Sequence, residues 1–217
     1  MTWPQAEIVE IAALSIKVAV TATAVSCALG IPLGLWLGST RFAGRRGLLL
    51  VLNTALAFPT VVVGLLVFLL LSRRGPLGGL GLLFTWQAIV IAEVILALPI
   101  AAALSAAAVQ AVDPRVRRTA LTLGAGPLRT AWAVALEARF ALAAAVVVAF
   151  GRVLSEVGAA IIVGGNIRHH TRTLTTAVTL ATSQGNFELA VALGLVLFAL
   201  ALTVNVLLQL LQGRGDA

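Results

Sequence analysis

Charge is scarce in this chain. Of its 217 residues only 11% are Asp, Glu, Lys or Arg, 60% are hydrophobic, and lysine occurs once, at Lys17. Soluble domains carry about a quarter charged residues, so this shortage excludes an ordinary soluble fold. Cysteine is as rare: Cys27 stands alone inside an apolar run, which excludes an intrachain disulfide. The single lysine follows Ser15-Ile16, so the chain has no Gly-x-x-x-x-Gly-Lys-Ser/Thr phosphate loop and is not expected to bind ATP in that way. His169 and His170 are adjacent rather than four apart, with no carboxylate or cysteine close by to complete a metal site. No Ser-His-Asp set or paired carboxylates stand out, so no catalytic cluster is expected. The composition describes a conduit rather than a catalyst.

Uncharged runs of roughly twenty residues recur along the chain, as in helical membrane proteins. The expected fold is all-α, one transmembrane domain over residues 1–217, with spans at about 14–37, 48–71, 86–109, 138–163 and 189–211. A Gly30-Ile-Pro32 bend is expected in the first span, a Phe58-Pro59 kink in the second, and Pro99 lies within the third. Such prolines are tolerated where neighbouring helices re-satisfy the freed carbonyls. Segments 38–47, 72–85 and 164–188 read as loops. The first apolar stretch is too long, and has no basic region before it, for a cleavable signal peptide.

The net charge of +7 could suggest nucleic acid, but the basic residues fall mainly between spans, where they set topology instead. Segments 38–47 and 110–139 and the C-terminal tail carry nine arginines: Arg41, Arg45, Arg46, Arg115, Arg117, Arg118, Arg129, Arg139 and Arg214. The opposite set carries four, Arg73, Arg74, Arg168 and Arg172, or five basic residues with Lys17. This bias places the C-terminus in the cytoplasm and the N-terminus outside.

The insert at 110–137 is the most informative stretch. Asp113-Pro114 is a helix start, the carboxylate as N-cap and proline at the first helical position, where a missing N–H costs nothing. Val116, Ala120 and Leu123 follow at helical spacing, with Arg115, Arg117, Arg118 and Thr122 elsewhere around the turn. Gly124 supplies a left-handed exit, and Gly126-Pro127 restarts a second helix. A short capped helix with an apolar stripe, set between spans, is a part to be held by another protein.

Charges inside spans are costly when they face lipid. Arg152 and Glu156, four apart in the fourth span, can pair on one helix face, either as a neutral pair between helices or as the wall of a polar pathway. Glu93 in the third span has Lys17 as a candidate partner, and Asn53 and Asn205 read as interhelical hydrogen-bonders. Gly164-Gly165-Asn166 allows a sharp turn, and the Thr-rich stretch 171–176 marks a helix start.

Ala120-x-x-x-Gly124 followed by Val134-x-Leu136 resembles the cytoplasmic loop of permease subunits of binding-protein-dependent ABC importers, usually Glu-Ala-Ala-x-x-x-Gly-x9-Ile-x-Leu-Pro. The chain departs from it at Arg118 and Thr119, and at Glu137, where proline is usual. Phe150-Gly-Arg152-x-x-Ser-Glu156-x-Gly158 followed by Gly164-Gly165-Asn166-Ile resembles the oxyanion permeases for molybdate, sulfate and tungstate. Asn53-Thr, Pro59-x-Val-Val-Val-Gly64, Arg74-Gly-Pro-Leu-Gly78 and Thr171-Arg-x-Leu-Thr-Thr176 are similar to the tungstate branch. The resemblance implies the type I importer (MetI-like) fold and a homodimeric pore. It further implies an ATPase that holds ATP and magnesium while this chain holds no cofactor, and an extracytoplasmic protein that delivers the oxyanion. It assigns Asp113, Arg115, Val116, Ala120, Leu123 and Gly124 to ATPase coupling, and Arg152, Glu156, Gly158, Gly164, Gly165 and Asn166 to the pathway or gate.

Two other classes compete with this reading. An ion-coupled secondary carrier would need intramembrane acids and inverted repeats, and here two acids lie in spans and no repeat is evident. A membrane enzyme would need a polar catalytic cluster, and none is found.

Overall fold

The computed structural model describes residues 5–213, with side chains through residue 206, and its elements are helical throughout. α1 (Gln5–Ser39) runs 35 residues without a break, passing through Pro32. At 1.5 Å per residue it is ~52 Å long, well beyond a hydrocarbon core of about 30 Å. Its first two turns, carrying Glu7 and Glu10, therefore project past the apolar run.

The second expected span is two helices, α2 (Arg45–Leu56) and α3 (Thr60–Leu71), set at 99° to one another. Pro59 cannot donate a backbone hydrogen bond, and the chain turns over Ala57-Phe58-Pro59 before restarting. α4 (Trp86–Ala111) begins at a Thr85 cap, whose side chain accepts from the Ala88 N–H, and passes through Pro99. Both ends agree with the expected third span to within about two residues.

In the insert, α5 (Pro114–Thr122) is capped by Asp113, whose carboxylate accepts from Arg115 N at 2.8 Å. Gly124 takes φ +79°, and α6 (Pro127–Glu137) restarts at Pro127, both as the sequence predicts. α7 (Arg139–Leu154) then leaves α6 at 72°. The fourth expected span is not one helix: it breaks at Ser155-Glu156-Val157, and a separate α8 (Gly158–Gly164) follows.

Segment 164–188 is not simply a loop either. It contains α9 (Leu174–Ser183), opened by a reciprocal cap in which the Thr173 and Thr176 side chains each bond the other's backbone N–H. α10 (Phe187–Gly213) closes the described chain. Among the described residues three helices, α1, α4 and α10, are long and apolar enough to cross a membrane, and up to five crossings result when the bent pairs α2–α3 and α6–α7 each count as one.

α1 and α4 form the central pair. Gly30, Gly34 and Gly38 make a stripe on α1 that lies directly on the α4 backbone near Ala101, Ala102 and Ala106. Small residues allow this approach, and close van der Waals contact holds helices together where lipid removes the hydrophobic drive. α3 and α8 add Val63, Val67, Ala159 and Val163 to one side of the pair. α7 adds Phe150, Val153 and Leu154 to another. α9 and α10 pack Leu174 and Leu193 on Ile11 at one end. Outward, α10 shows Val191, Leu195, Phe198 and Leu202 at helical spacing, an apolar stripe suited to lipid or a second chain.

Candidate functional site

The break between α7 and α8 organises a buried polar cluster. Arg152, in the last turn of α7, donates to Glu156 Oε2 at 2.7 Å. The other carboxylate oxygen, Oε1, accepts from the Ala159 N–H at 3.1 Å in the first turn of α8. Glu156 thus bridges the break, neutralised on one side and capping a helix on the other. The Thr175 hydroxyl donates to the Glu156 carbonyl at 2.8 Å and ties the start of α9 to the same point. The pair is asymmetric: the Glu156 side chain is 3% exposed and the Arg152 side chain 34%. One face of the guanidinium stays open to an anion while its carboxylate partner is sealed in.

Glu93, also buried, lines the same small cavity of about 20 Å³ as Glu156, Ser15 and Thr173. The expected Glu93–Lys17 pairing is not formed. Lys17 lies 3.8 Å over the Trp86 ring, a cation–π contact available because Trp86 opens α4 beside it. Among the described residues Asn205 does not bond between helices either; its amide donates to Ala201 O one turn back in α10. Asn53 is exposed on α2.

Gly158 and the Gly164-Gly165-Asn166 turn flank α8. A Cβ at Gly158 would stand 3.0 Å from Thr60 Oγ1, and one at Gly164 2.8 Å from Ile89 Cδ1, so α8 sits tightly between α3 and α4. Gly165 at φ +73° and Asn166 at φ 49° then turn the chain through the left-handed region. Asn166 fixes that turn: its amide donates to Thr176 O at 3.2 Å and its Oδ1 accepts from Arg172 Nε at 3.2 Å. All these residues belong to one continuous unit with the Arg152–Glu156 break.

The partners on α1 were missed by sequence reasoning. Glu7, buried, accepts two hydrogen bonds from Arg168, at 2.9 and 2.7 Å, and lies 3.4 Å from Arg172 Nη1. Glu10 meets His169 Nδ1 at 2.8 Å. The Glu7 hydrogen bonds, then its charge, push the Arg168 guanidinium further up in pKa, while burial pulls Arg172 down against the same carboxylate. The available signal was two acids ahead of the first span and an Arg-His-His-x-Arg loop on the same predicted side. Ser15, inside α1, accepts from the Leu174 N–H at 2.8 Å and so helps dock α9. Glu7→Gln is expected to raise amide exchange across residues 166–172 by about tenfold, since the loop loses its charge-assisted bonds. Unchanged exchange there would show that Asn166 and the α8 packing hold the turn without α1.

At the opposite end, the expected coupling stripe is divided. Val116 and Ala120 are half-buried against their own chain, on a helix that packs beside α6. The apolar residues that point away are Leu121, 53% exposed, and Leu123, 82% exposed. Leu128 and Trp132 on α6 extend the same kind of surface. Asp113 and Gly124 define the two ends of α5, and Arg115 is exposed.

A helical bundle with a short capped helix outside the spans and a broken polar segment within them has clear counterparts. Residues 30–216 match the family described as binding-protein-dependent transport system inner membrane component. The chain is 45% identical over 205 residues to the probable anion ABC transporter permease protein of Haloferax volcanii, covering 92% of this chain and 88% of that one. It is 41% identical over 199 residues to the tungstate uptake system permease protein TupB of Peptoclostridium acidaminophilum, covering 92% and 87%. In fold it matches the crystal structure of an amino acid ABC transporter with histidines, at a TM-score of 0.70 and 20% identity, over 99% of this chain and 100% of that one. With both its span and its sequence matched, the chain belongs to the family of inner-membrane components of binding-protein-dependent transport systems.

Proposed function

We propose that this chain is the permease subunit of an ABC importer for a tetrahedral oxyanion, tungstate in the first place, working as a homodimer. The observation that carries the coupling half is α5: a capped helix whose Leu121 and Leu123 face away from their own chain. Such a face suits insertion into a groove of a separate ATPase, which binds ATP and magnesium. The arginine bias supports a cytoplasmic position for this helix and an outer one for the Glu7–Arg168 end, where a binding protein would deliver its load. The substrate half rests on the names of the two relatives, an anion permease and a tungstate permease.

Within the pore the oxyanion would meet Arg152, in the last turn of α7, on the open side of its pair with Glu156. A single guanidinium cannot discriminate oxyanions of nearly equal size and charge, so selection belongs to the delivering protein. Weak binding also suits release. ATP-driven alternation then needs two states of the dimer that differ in contacts to ATPase and loaded binding protein.

Changing Leu121 and Leu123 together to Asp is expected to leave the chain folded in the membrane and to weaken ATPase association on the order of thirtyfold. Co-purification of the ATPase and cellular uptake are the readouts, and full association in the double variant would remove α5 as the coupling element. Substrate is tested separately by deleting the gene and measuring tungstate, molybdate and sulfate uptake. If tungstate accumulation holds while molybdate or sulfate collapses, the tungstate assignment fails and the transporter reading stands.

A further inference from the structure

The α5 end of the molecule carries a second feature that coupling does not use. A cleft of about 380 Å³ opens between the end of α1, the start of α2 and the start of α5, and Arg41, Arg45 and Arg117 line it. Arg45 Nε donates to Leu37 O at 2.7 Å and Arg117 Nη1 donates to Ser39 O at 2.6 Å. These bonds neutralise the carbonyl end of α1, which would otherwise repel an anion, and leave most guanidinium donors free. Among the described residues none of the three arginines is in an ion pair. The one acid in the lining, Asp113, already accepts from the Arg115 N–H as the cap of α5. The cleft therefore sets three cations against one carboxylate, a surplus of positive charge, with room for an anionic head.

Its surroundings identify the depth at which it sits. Trp36 and Phe42, both exposed, stack with ring centroids 4.7 Å apart beside the cleft. Aromatic residues collect at the membrane–water boundary, where their rings tolerate both phases. On α2, Leu50 and Val51 are 67% and 62% exposed within two turns of Arg45, an apolar wall below a basic rim. We propose that this cleft binds the phosphate of an anionic phospholipid headgroup, with the acyl chains lying along α2. Planar guanidiniums match phosphate oxygens two at a time, and basic pockets between spans at the membrane surface hold lipid phosphates. Because Arg117 sits on α5, a bound lipid would brace the coupling helix against α1. That consequence rests on the coupling reading, whereas the lipid site itself does not.

The full chain, purified in mild detergent with mixed phosphatidylglycerol and phosphatidylcholine, is expected to retain one phosphatidylglycerol in native mass spectrometry. Arg41 is exposed and its side chain makes no hydrogen bond or ion pair among the described residues, so R41Q tests the site without removing a bond that holds α1. It should weaken retention by about fivefold, R41Q with R117Q by about 25-fold, and R73Q, at the other end of the molecule, not at all. Equal retention in the wild type and the double variant overturns the proposal. Inorganic phosphate is the second arm. If phosphate alone protects the wild type from unfolding in phosphatidylcholine nanodiscs, and R41Q abolishes that protection, the site takes a free anion and the lipid assignment is wrong. ATPase association in R41Q is measured alongside, so failure of this site is distinguishable from failure of the coupling reading.

Discussion

Gly34→Val is expected to remove nearly all folded protein from the membrane. A Cβ at Gly34 would lie 2.5 Å from Ala102 O, 2.6 Å from Ser105 Cβ and 2.9 Å from Ala106 N. Two of those atoms are α4 backbone, so no rotamer change makes room and the helices must separate. Separation also opens the contacts that Gly30 makes with Ala101 and Gly38 with Val109, because the three glycines lie on one stripe. Overpacking a well-packed core costs about 1–3 kcal/mol where side chains can yield, and here the cost should exceed about 3 kcal/mol. That is a large share of a total stability of about 5–15 kcal/mol. Cys27, buried beside Ala101 and Ala149 one turn from Gly30, supplies the readout, since a thiol-reactive fluorophore reaches it only on unfolding. Gly194→Ala on α10 is the control, for its Cβ would meet nothing within 4 Å of this chain. A Gly34→Val melt that matches the wild type would mean that α1 and α4 are not packed as described.

That stripe shows what the sequence could and could not tell. Gly30, Gly34 and Gly38 are spaced for one helix face, but spacing alone names no partner, and Gly30-Ile-Pro32 reads instead as a bend. The surrounding helix absorbs Pro32 and α1 runs on. Signals contained within a few residues were legible: Asp113-Pro114, Gly124, Gly126-Pro127, and the Thr-rich start of α9. Length was harder. α9 has ten residues, too few to stand out against a polar loop, and its stability comes from packing Leu174 and Ala177 beside Ile11 and Leu193. The break in the fourth span hides inside an apolar run because Glu156, which looks like a helix residue paired with Arg152, instead spans a gap. The pairing itself was legible since four residues separate the two. Choices among distant partners were not: Lys17 lies over Trp86 rather than beside Glu93. The orientation of α5 is set by tertiary contacts that spacing does not name, and Val116 and Ala120 turned inward while Leu121 took the outer face.

Arg152→Ala is expected to be nearly as damaging as the glycine change, for an electrostatic reason. It leaves Glu156, 4% exposed, as a buried carboxylate without its cation, in the cavity that Glu93 also lines. Removing one partner of a buried pair costs about 3–5 kcal/mol, whereas replacing both with uncharged groups is often close to neutral. The double change R152Q/E156Q should therefore recover most of the stability, because a glutamine at 156 can still accept from the Ala159 N–H and hold α8 in place. Transport separates the two roles of the pair. If Arg152 lines the pathway, the double variant folds but takes up little oxyanion; if the pair only joins α7 to α8, uptake returns with stability. Ser155 offers an independent test, since it is exposed next to the pair and, among the described residues, its hydroxyl bonds only back to Arg152 O. Ser155→Cys, with Cys27 changed to alanine, should react with a small hydrophilic thiol reagent at a rate that changes with the nucleotide on the ATPase. A folded, active R152Q/E156Q variant together with a Ser155→Cys that stays unlabelled in every nucleotide state would place the pair outside the pathway and leave it a clamp across the α7–α8 break.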